Sequence, residues 1–304
     1  MVMKKGKVSC IVTTYERPIE ILKKAIMSIV KQTYDNFEIL IVNDSPKNIE
    51  LSNKIKHLVK LIKNEYYIEI TYLSYEKNMG ANYARNYGIK FSSGEYIAFL
   101  DDDDEWLPEK LEIQVPLMDD NVAIVYSNFL ICDNGKYHKN NLIEVTNKNK
   151  IEKILETNFI GSTSFPLLNK KLLLDVGGFD DQLKSCQEYD LYIRLLRNHN
   201  IAYSNKYVGI YSISNDSTYR NNHEKFYASS IYIYNKNIDL FNKYSTVFNI
   251  NLNNLSFYFL NHKCFKYFYN LKKIAIKTKP YSIYNFTIII ILKKFFIKIR
   301  SKIK

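Results

Sequence analysis

Over its first hundred residues the chain alternates short apolar runs with longer stretches whose apolar residues recur at helical spacing. Val8–Thr13 is rich in β-branched residues and reads as a strand. Pro18 suits the first position of a helix, and Ile21, Leu22, Ala25, Ile26, Ile29 and Val30 then repeat at the 3.6-residue period, predicting an amphipathic helix that ends near Gln32. Phe37–Val42 predicts a second strand, stopped by Asn43-Asp44-Ser45-Pro46; a polar helix of roughly 15 residues follows, and Ile68–Tyr75 predicts a third strand. Gly80–Phe91 reads as a helix with Ala81, Ala84 and Gly88 on one small-residue face, leading into the apolar run Tyr96-Ile97-Ala98-Phe99-Leu100. Strands separated by helices of this length require right-handed crossovers, which predicts an α/β fold with a mostly parallel sheet flanked by helices.

In such sheets ligands bind beyond the carboxyl ends of the strands. The residues there are Thr13-Thr14-Tyr15-Glu16-Arg17, Asn43-Asp44-Ser45 and the consecutive aspartates Asp101, Asp102, Asp103 and Asp104, all polar and predicted to line one crevice. Carboxylates side by side raise each other's pKa, so the run points to a hard cation, Mg²⁺ or Mn²⁺, among them. A solvated acidic turn is the alternative; the buried-looking strand before the run and Trp106, the single tryptophan, after it weigh against that. Neither GxGxxG nor GxxxxGK[ST] occurs, so a phosphorylated ligand in this crevice would need a bridging divalent cation.

Composition alters this picture mainly at the carboxyl end. With 304 residues, 46% of them hydrophobic, the chain can bury a large core. The net charge of +12 is not spread evenly: from Asn251 to Lys304 there are 12 Lys and Arg and no Asp or Glu, which leaves 31 residues of each sign in the first 250. Within this tail, Tyr281–Lys304 mixes Phe286, Ile288–Leu292, Phe295 and Phe296 with Lys293, Lys294, Lys298, Arg300, Lys302 and Lys304. Its apolar run is too short to span a bilayer, which takes about 20 residues; it predicts a helix on an anionic membrane surface, with a core helix ending in a solvated basic face as the alternative. Cys10, Cys132, Cys186 and Cys264 show no CxxC spacing, and no apolar leader precedes Val8, so the chain is expected to be reduced and cytoplasmic, peripheral on the cytoplasmic face of the membrane.

Several motifs in one order resemble the inverting glycosyltransferases of family 2, which have the GT-A fold, across roughly residues 7–215. They are Val8–Pro18, Ser28–Tyr34, Phe37–Ser45, Asn78-Met79-Gly80, Ala84-Arg85-Asn86 with Gly88-Ile89, the run Phe99–Pro108 as the DxD region, and Gly177-Gly178-Phe179-Asp180 with Glu188-Tyr189-Asp190-Leu191. The resemblance implies a catalytic nucleotide-sugar domain over residues 1–215 and a helical, basic, aromatic-rich region over 216–304. Thr13, Tyr15 and Asp44 would hold the nucleotide, Asp44 accepting a hydrogen bond from the base. Asp101 and Asp103 form the outer pair of the DxD, with Asp103 the direct metal ligand and Asp102 near the ribose; Trp106 falls on the acceptor side. The Gly177-Gly178 pair reads as turn-shaping glycines.

By the same resemblance the donor is a uridine diphosphate sugar and the acceptor a hydroxyl of a glycan or lipid-linked molecule, in surface polysaccharide or glycolipid synthesis. Inverting transfer needs one carboxylate to take the acceptor's proton. The family usually has Glu-Asp where this chain has Gln187-Glu188, so Glu188 becomes the base, at the first turn of a helix packed through Leu191, Leu195 and Leu196. Asp190 is the rival or supporting carboxylate, placed to pair with Arg194 at i,i+4. Two other readings stay open: a non-catalytic nucleotide-binding scaffold at the membrane, and a nucleic-acid-binding protein using the basic tail. The second is not expected, because it leaves the acidic crevice unexplained.

Overall fold

The computed structural model describes residues 4–213 and 222–278. Positions 1–3, 214–221 and 279–304, including the stretch 281–304 for which an interfacial helix is expected, lie outside the described residues. The chain divides into two compact units, Met1–Ile151 with Phe159–Thr218, and Glu152–Asn158 with Tyr219–Lys304.

The first unit opens with the expected alternation: β1 (Lys4–Thr14), α1 (Ile19–Val30), β2 (Phe37–Asn43), α2 (Ile49–Tyr66), β3 (Ile70–Ser74), α3 (Ala81–Phe91) and β4 (Gly94–Asp101). α1 forms where the periodicity places it, burying Leu22, Ala25, Ile26 and Ile29, although Ile21 turns outward at 41% exposure. Pro18 sits one position earlier than expected, as the cap, where its carbonyl accepts from Ile21 and Leu22. Gln32 lies beyond the helix and is turned inward: its amide donates to Leu107 O at 2.8 Å and accepts from Leu111 N at 3.0 Å. α3 lies so close to the sheet that a Cβ on Gly88 would stand 2.6 Å from Ile11 Cγ2, which is why its inner face is built from small residues.

The rest of the unit comprises β5 (Glu105–Trp106), α4 (Lys110–Gln114), β6 (Val122–Asp133), β7 (Lys136–Asn140), α5 (Lys150–Glu156), which runs into the second unit, β8 (Leu167–Asn169), α6 (Lys170–Asp175), α7 (Gln187–Leu196) and β9 (Asn200–Ile213). The strands form one sheet in the order β3-β2-β1-β4-β8-β6-β9-β5, with β7 paired to β6. β3, β2, β1 and β4 are mutually parallel, as are β6 and β9. Three-residue β8 joins these two parallel blocks by pairing antiparallel to β4 on one side and to β6 on the other.

At the amino ends of β1, β2 and β4 a buried ionic cluster locks the strands. Glu38 accepts from Lys7 Nζ at 3.0 Å, from Ser93 Oγ at 2.8 Å, and from Ser9 Oγ and Ser93 N; Lys7 also reaches Glu69 at 2.7 Å. Burial pushes the Glu38 carboxyl up, but these donors outweigh it and hold its pKa at about 2. At the carboxyl ends the parallel register sets Thr14 beside Asn43 and Thr13 beside Asp101, so the three polar loops share one level.

The second unit is helical: α8 (His223–Lys236), α9 (Ile238–Lys243), α10 (Ser245–Asn261) and α11 (Phe265–Thr278). Phe241, Phe248, Phe259 and Phe268 fill its core, each about 1% exposed or less. No helix among the described residues is long and apolar enough to cross a membrane.

Candidate active site

The four aspartates split into two pairs. Where β4 runs out, Asp104 N closes a turn on Asp101 O at 3.1 Å. Asp101 and Asp103 remain open, with 32% and 28% of their side chains exposed, while the side chain of Asp102 is 8% exposed and Asp104 is 1% exposed as a residue. Asp104 faces inward, accepting from Ser164 Oγ at 2.6 Å and Ser212 N at 3.0 Å; burial, then repulsion from Asp101, raises its pKa well above the ordinary value. Burial likewise pushes Asp102 up to about 6, against the opposing pull of Arg17. Burial raises Asp103 too, with Asp101 adding to the rise and Arg17 resisting it.

Two arginines supply counter-charge. Arg17, on the loop after β1, donates from Nε to Asp102 at 2.8 Å and from Nη2 to Asp103 at 3.0 Å. Arg85, buried on α3, donates from Nη2 to Asp101 at 2.8 Å and lies 5.4 Å over the ring of Phe179. Glu188 comes to the same place from α7: burial raises its pKa, Arg85 draws it back, and Asp101 pushes it further up. Glu188 thus lies within electrostatic reach of Asp101 and Arg85. Glu188 enters at the helix start because Cys186 before it adopts a left-handed φ of 57°, and because Leu191, Leu195 and Leu196 are fully buried, a contribution of about 1.5–3 kcal/mol each.

Asp190 is paired with Arg194, as its i,i+4 spacing predicts. It is fully buried and takes Arg194 Nε at 2.8 Å, and Arg194 in turn donates to Val176 O and Gly178 O. It therefore braces the Gly177-Gly178 turn, both of whose glycines have positive φ. Trp106 is not on the acceptor side of an open crevice; it is core. It is 3% exposed, its indole donates to Ser164 O at 2.7 Å, and the Nζ of fully buried Lys110 sits 4.5 Å from its ring. The resemblance placed Trp106 on the acceptor side, but a large aromatic beside a strand end is most stable when buried with its N–H satisfied.

Thr13 is partly buried at the end of β1 and Tyr15 is 59% exposed. Asp44, 4% exposed, already accepts four hydrogen bonds, from Tyr75 Oη, Asn78 Nδ2, Met79 N and Gly80 N at 2.7–2.9 Å. A carboxylate offers about four such positions, so in this state Asp44 holds the Asn78–Gly80 turn, and a base could bond to it only by displacing one donor. Residues with no role expected from sequence complete the site. Asn82 donates to Asp180 O and Leu183 O, and Asn86 clasps Phe179 through both its amide groups. Thr163 and Ser164 contact the aspartates. Polar Asn82, Arg85 and Asn86 flanking Ala84 on the inner part of α3 were the available signal.

No three His, Cys, Asp or Glu converge as a metal site among the described residues. The donor set nonetheless fits a hard cation of the Mg²⁺ type, which is commonly held by one or two carboxylates with substrate phosphates and water completing its shell. Asp101 and Asp103 supply two oxygen donors, both open and mutually repelling.

The sequence model of Glycosyl transferase family 2 matches residues 9–177. The chain belongs to this family and is a glycosyltransferase with the GT-A fold. It is 29% identical over 198 residues to the Escherichia coli UDP-Glc:alpha-D-GlcNAc-diphosphoundecaprenol beta-1,3-glucosyltransferase WfgD, covering 60% of this chain and 66% of that enzyme. The structure of S. aureus TarS 1-349 in complex with UDP-GlcNAc superposes with a TM-score of 0.67 at 20% identity, covering 90% of this chain and 81% of that one. A mannosyltransferase from Pyrobaculum calidifontis, PcManGT, in complex with GDP-Man and Mn²⁺, superposes with a TM-score of 0.60 at 13% identity, covering 95% and 79%.

Proposed function

We propose that the chain transfers a sugar, with inversion, from a uridine diphosphate donor to a hydroxyl of a lipid-linked glycan, in surface polysaccharide or glycolipid synthesis. The observation that carries this reading is the open pair Asp101 and Asp103, held by Arg85 and Arg17 at the carboxyl ends of the parallel strands, with Glu188 within electrostatic reach of Asp101 and Arg85. WfgD, whose name specifies a UDP-glucose donor and a diphosphoundecaprenol-linked acceptor, supports the choice of substrates, and the nucleotide-sugar complex of TarS supports the donor class.

In this mechanism residues 1–215 form the catalytic domain. Thr13 and Tyr15 flank the nucleotide, Asp102 lies toward the ribose, and the turn held by Asp44 borders the base. Glu188 takes the proton from the acceptor hydroxyl as its oxygen bonds to the anomeric carbon and the bond to the donor phosphate breaks, the electron pair leaving with the diphosphate. Desolvation makes Glu188 a stronger base than a solvated carboxylate, and Arg85 opposes that rise in pKa. Asp101 and Asp103 would hold a divalent cation, Mn²⁺ or Mg²⁺, which when bound neutralises the diphosphate. The basic, acid-free stretch from Asn251 onward would rest on anionic lipid, where such an acceptor resides.

Calorimetric titration with UDP, GDP and dTDP, with and without Mn²⁺, tests the donor site. UDP should bind only with Mn²⁺ to the wild type and not to Asp103→Ala. Glu188→Gln should bind UDP normally and fail to transfer; turnover retained by that variant would remove Glu188 from its role.

A further inference from the structure

We infer that Arg17 is a resident counter-cation of the acidic turn, one that keeps Asp103 from engaging a divalent ion until a nucleotide diphosphate arrives with it. The inference rests on the proposed reading of Asp101 and Asp103 as cation ligands.

Its basis is geometric. The guanidinium spans two adjacent carboxylates, Nε on Asp102 at 2.8 Å and Nη2 on Asp103 at 3.0 Å. A fork of this kind is specific to arginine, because an ammonium presents a single point charge. The backbone is shaped to deliver it. Glu16 is held in the left-handed region at φ 50°, a conformation that costs a non-glycine residue about 1 kcal/mol or more. Its N–H donates to Ser45 Oγ at 2.6 Å, and its carboxylate takes Asn48 Nδ2 at 2.7 Å. Pro18 on the far side fixes the chain again as α1 begins. A loop pinned on both sides of Arg17 points its side chain at the turn, with 29% of it exposed.

Arg85 already neutralises Asp101. With Arg17 on Asp102 and Asp103, the turn carries two arginines against the three carboxylates nearest the crevice. A free cation must then displace a charge-assisted hydrogen bond to reach Asp103 and gains little net charge by doing so. A diphosphate changes that balance: it adds negative charge beside the turn and gives both the cation and a displaced guanidinium phosphate oxygens to bind. Cation and donor therefore enter together.

The test is Mn²⁺ binding to the full chain, followed by electron paramagnetic resonance, with thermal melting as a second readout. Removing an opposite charge at this range changes the affinity of a site for a cation by about tenfold or more. Without nucleotide, Arg17→Gln should bind Mn²⁺ at least about tenfold more tightly than the wild type, should melt at a lower temperature, and should regain the lost stability when Mn²⁺ is added. Arg17→Lys, which keeps the charge but can hold only one of the two carboxylates, should bind Mn²⁺ with an affinity between those of the wild type and Arg17→Gln, and guards against a fold defect in the glutamine variant. If the wild type binds Mn²⁺ with UDP while Arg17→Gln shows no gain without it, the role of Arg17 is overturned and the cation site stands. If no protein binds Mn²⁺ even with UDP, the cation reading falls and this inference with it.

Discussion

Replacing Glu38 by glutamine removes the charge that ties the amino ends of β1, β2 and β4 together while nearly keeping the side chain's shape. The residue is 5% exposed, and its pKa is held at about 2 against an ordinary 4.5, because hydrogen bonds from Ser9, Ser93 and Lys7 outweigh the cost of burial. A carboxyl depressed in the folded state binds its proton more readily once unfolded. Its stabilisation is therefore fully present above pH 4.5 and is lost as the pH falls toward 2. At about 1.4 kcal/mol per pH unit this is worth about 3 kcal/mol at neutral pH. Protonated glutamate resembles glutamine, so the wild type at low pH should approach the variant. Urea denaturation in steps from pH 7 to pH 3 should show Glu38→Gln less stable by about 3 kcal/mol at pH 7, with the gap narrowing below pH 4.5. A deficit under about 1 kcal/mol at pH 7, or one equally wide at pH 3, would refute the reasoning.

Gly88→Ala forces a methyl to 2.6 Å from Ile11 Cγ2 and should cost about 1–3 kcal/mol in urea denaturation; a neutral result would mean that α3 is free to lift from the sheet. Ser164→Ala leaves Asp104 with Ser212 N as its remaining donor of the two described and strips the hydroxyl that accepts from Asp101 N. A loss of about 1–3 kcal/mol is expected by the same measurement. Because Glu188 works deprotonated and its pKa is raised by burial, kcat/KM should fall as the pH drops through a value above the ordinary 4.5; a rate unchanged down to that pH would contradict the assignment.

The donor half of the fold was legible because each of its elements carries its own local signal. The strands are continuous apolar runs, α1 has helical period, and the polar clusters fall where strands stop. The pairing of Asp101 with Asp103 was expected from the resemblance of the Phe99–Pro108 run to a DxD region, and these are the two more exposed of the four side chains. The other half resisted. Leu167–Asn169 is too short to read as a strand and runs directly into the helix Lys170–Asp175, and β9 is interrupted by exposed Asn205 and Lys206. Nothing local announces that β8 pairs antiparallel to both neighbours. Trp106 and Asp44 were legible in position but less so in role, because burial and hydrogen-bond saturation depend on partners distant in sequence: Ser164 for Trp106, and residues 75–80 for Asp44.

The carboxylate of Asp104 accepts from Ser212, 108 positions further along the chain. Seen in time rather than space, this sets the order in which the protein matures during synthesis. Once the first hundred or so residues have emerged, β1, β2 and β3 and the ionic cluster around Glu38 have their strand and side-chain partners. Asp104, by contrast, gains Ser164 only later and Ser212 only when β9 is made, so the turn that carries Asp101 and Asp103 receives its last described donor from that strand. A ribosome paused before residue 212 would hold a chain with β1–β4 paired and an unfinished crevice, so this enzyme's nucleotide site is among the last parts of its first unit to appear.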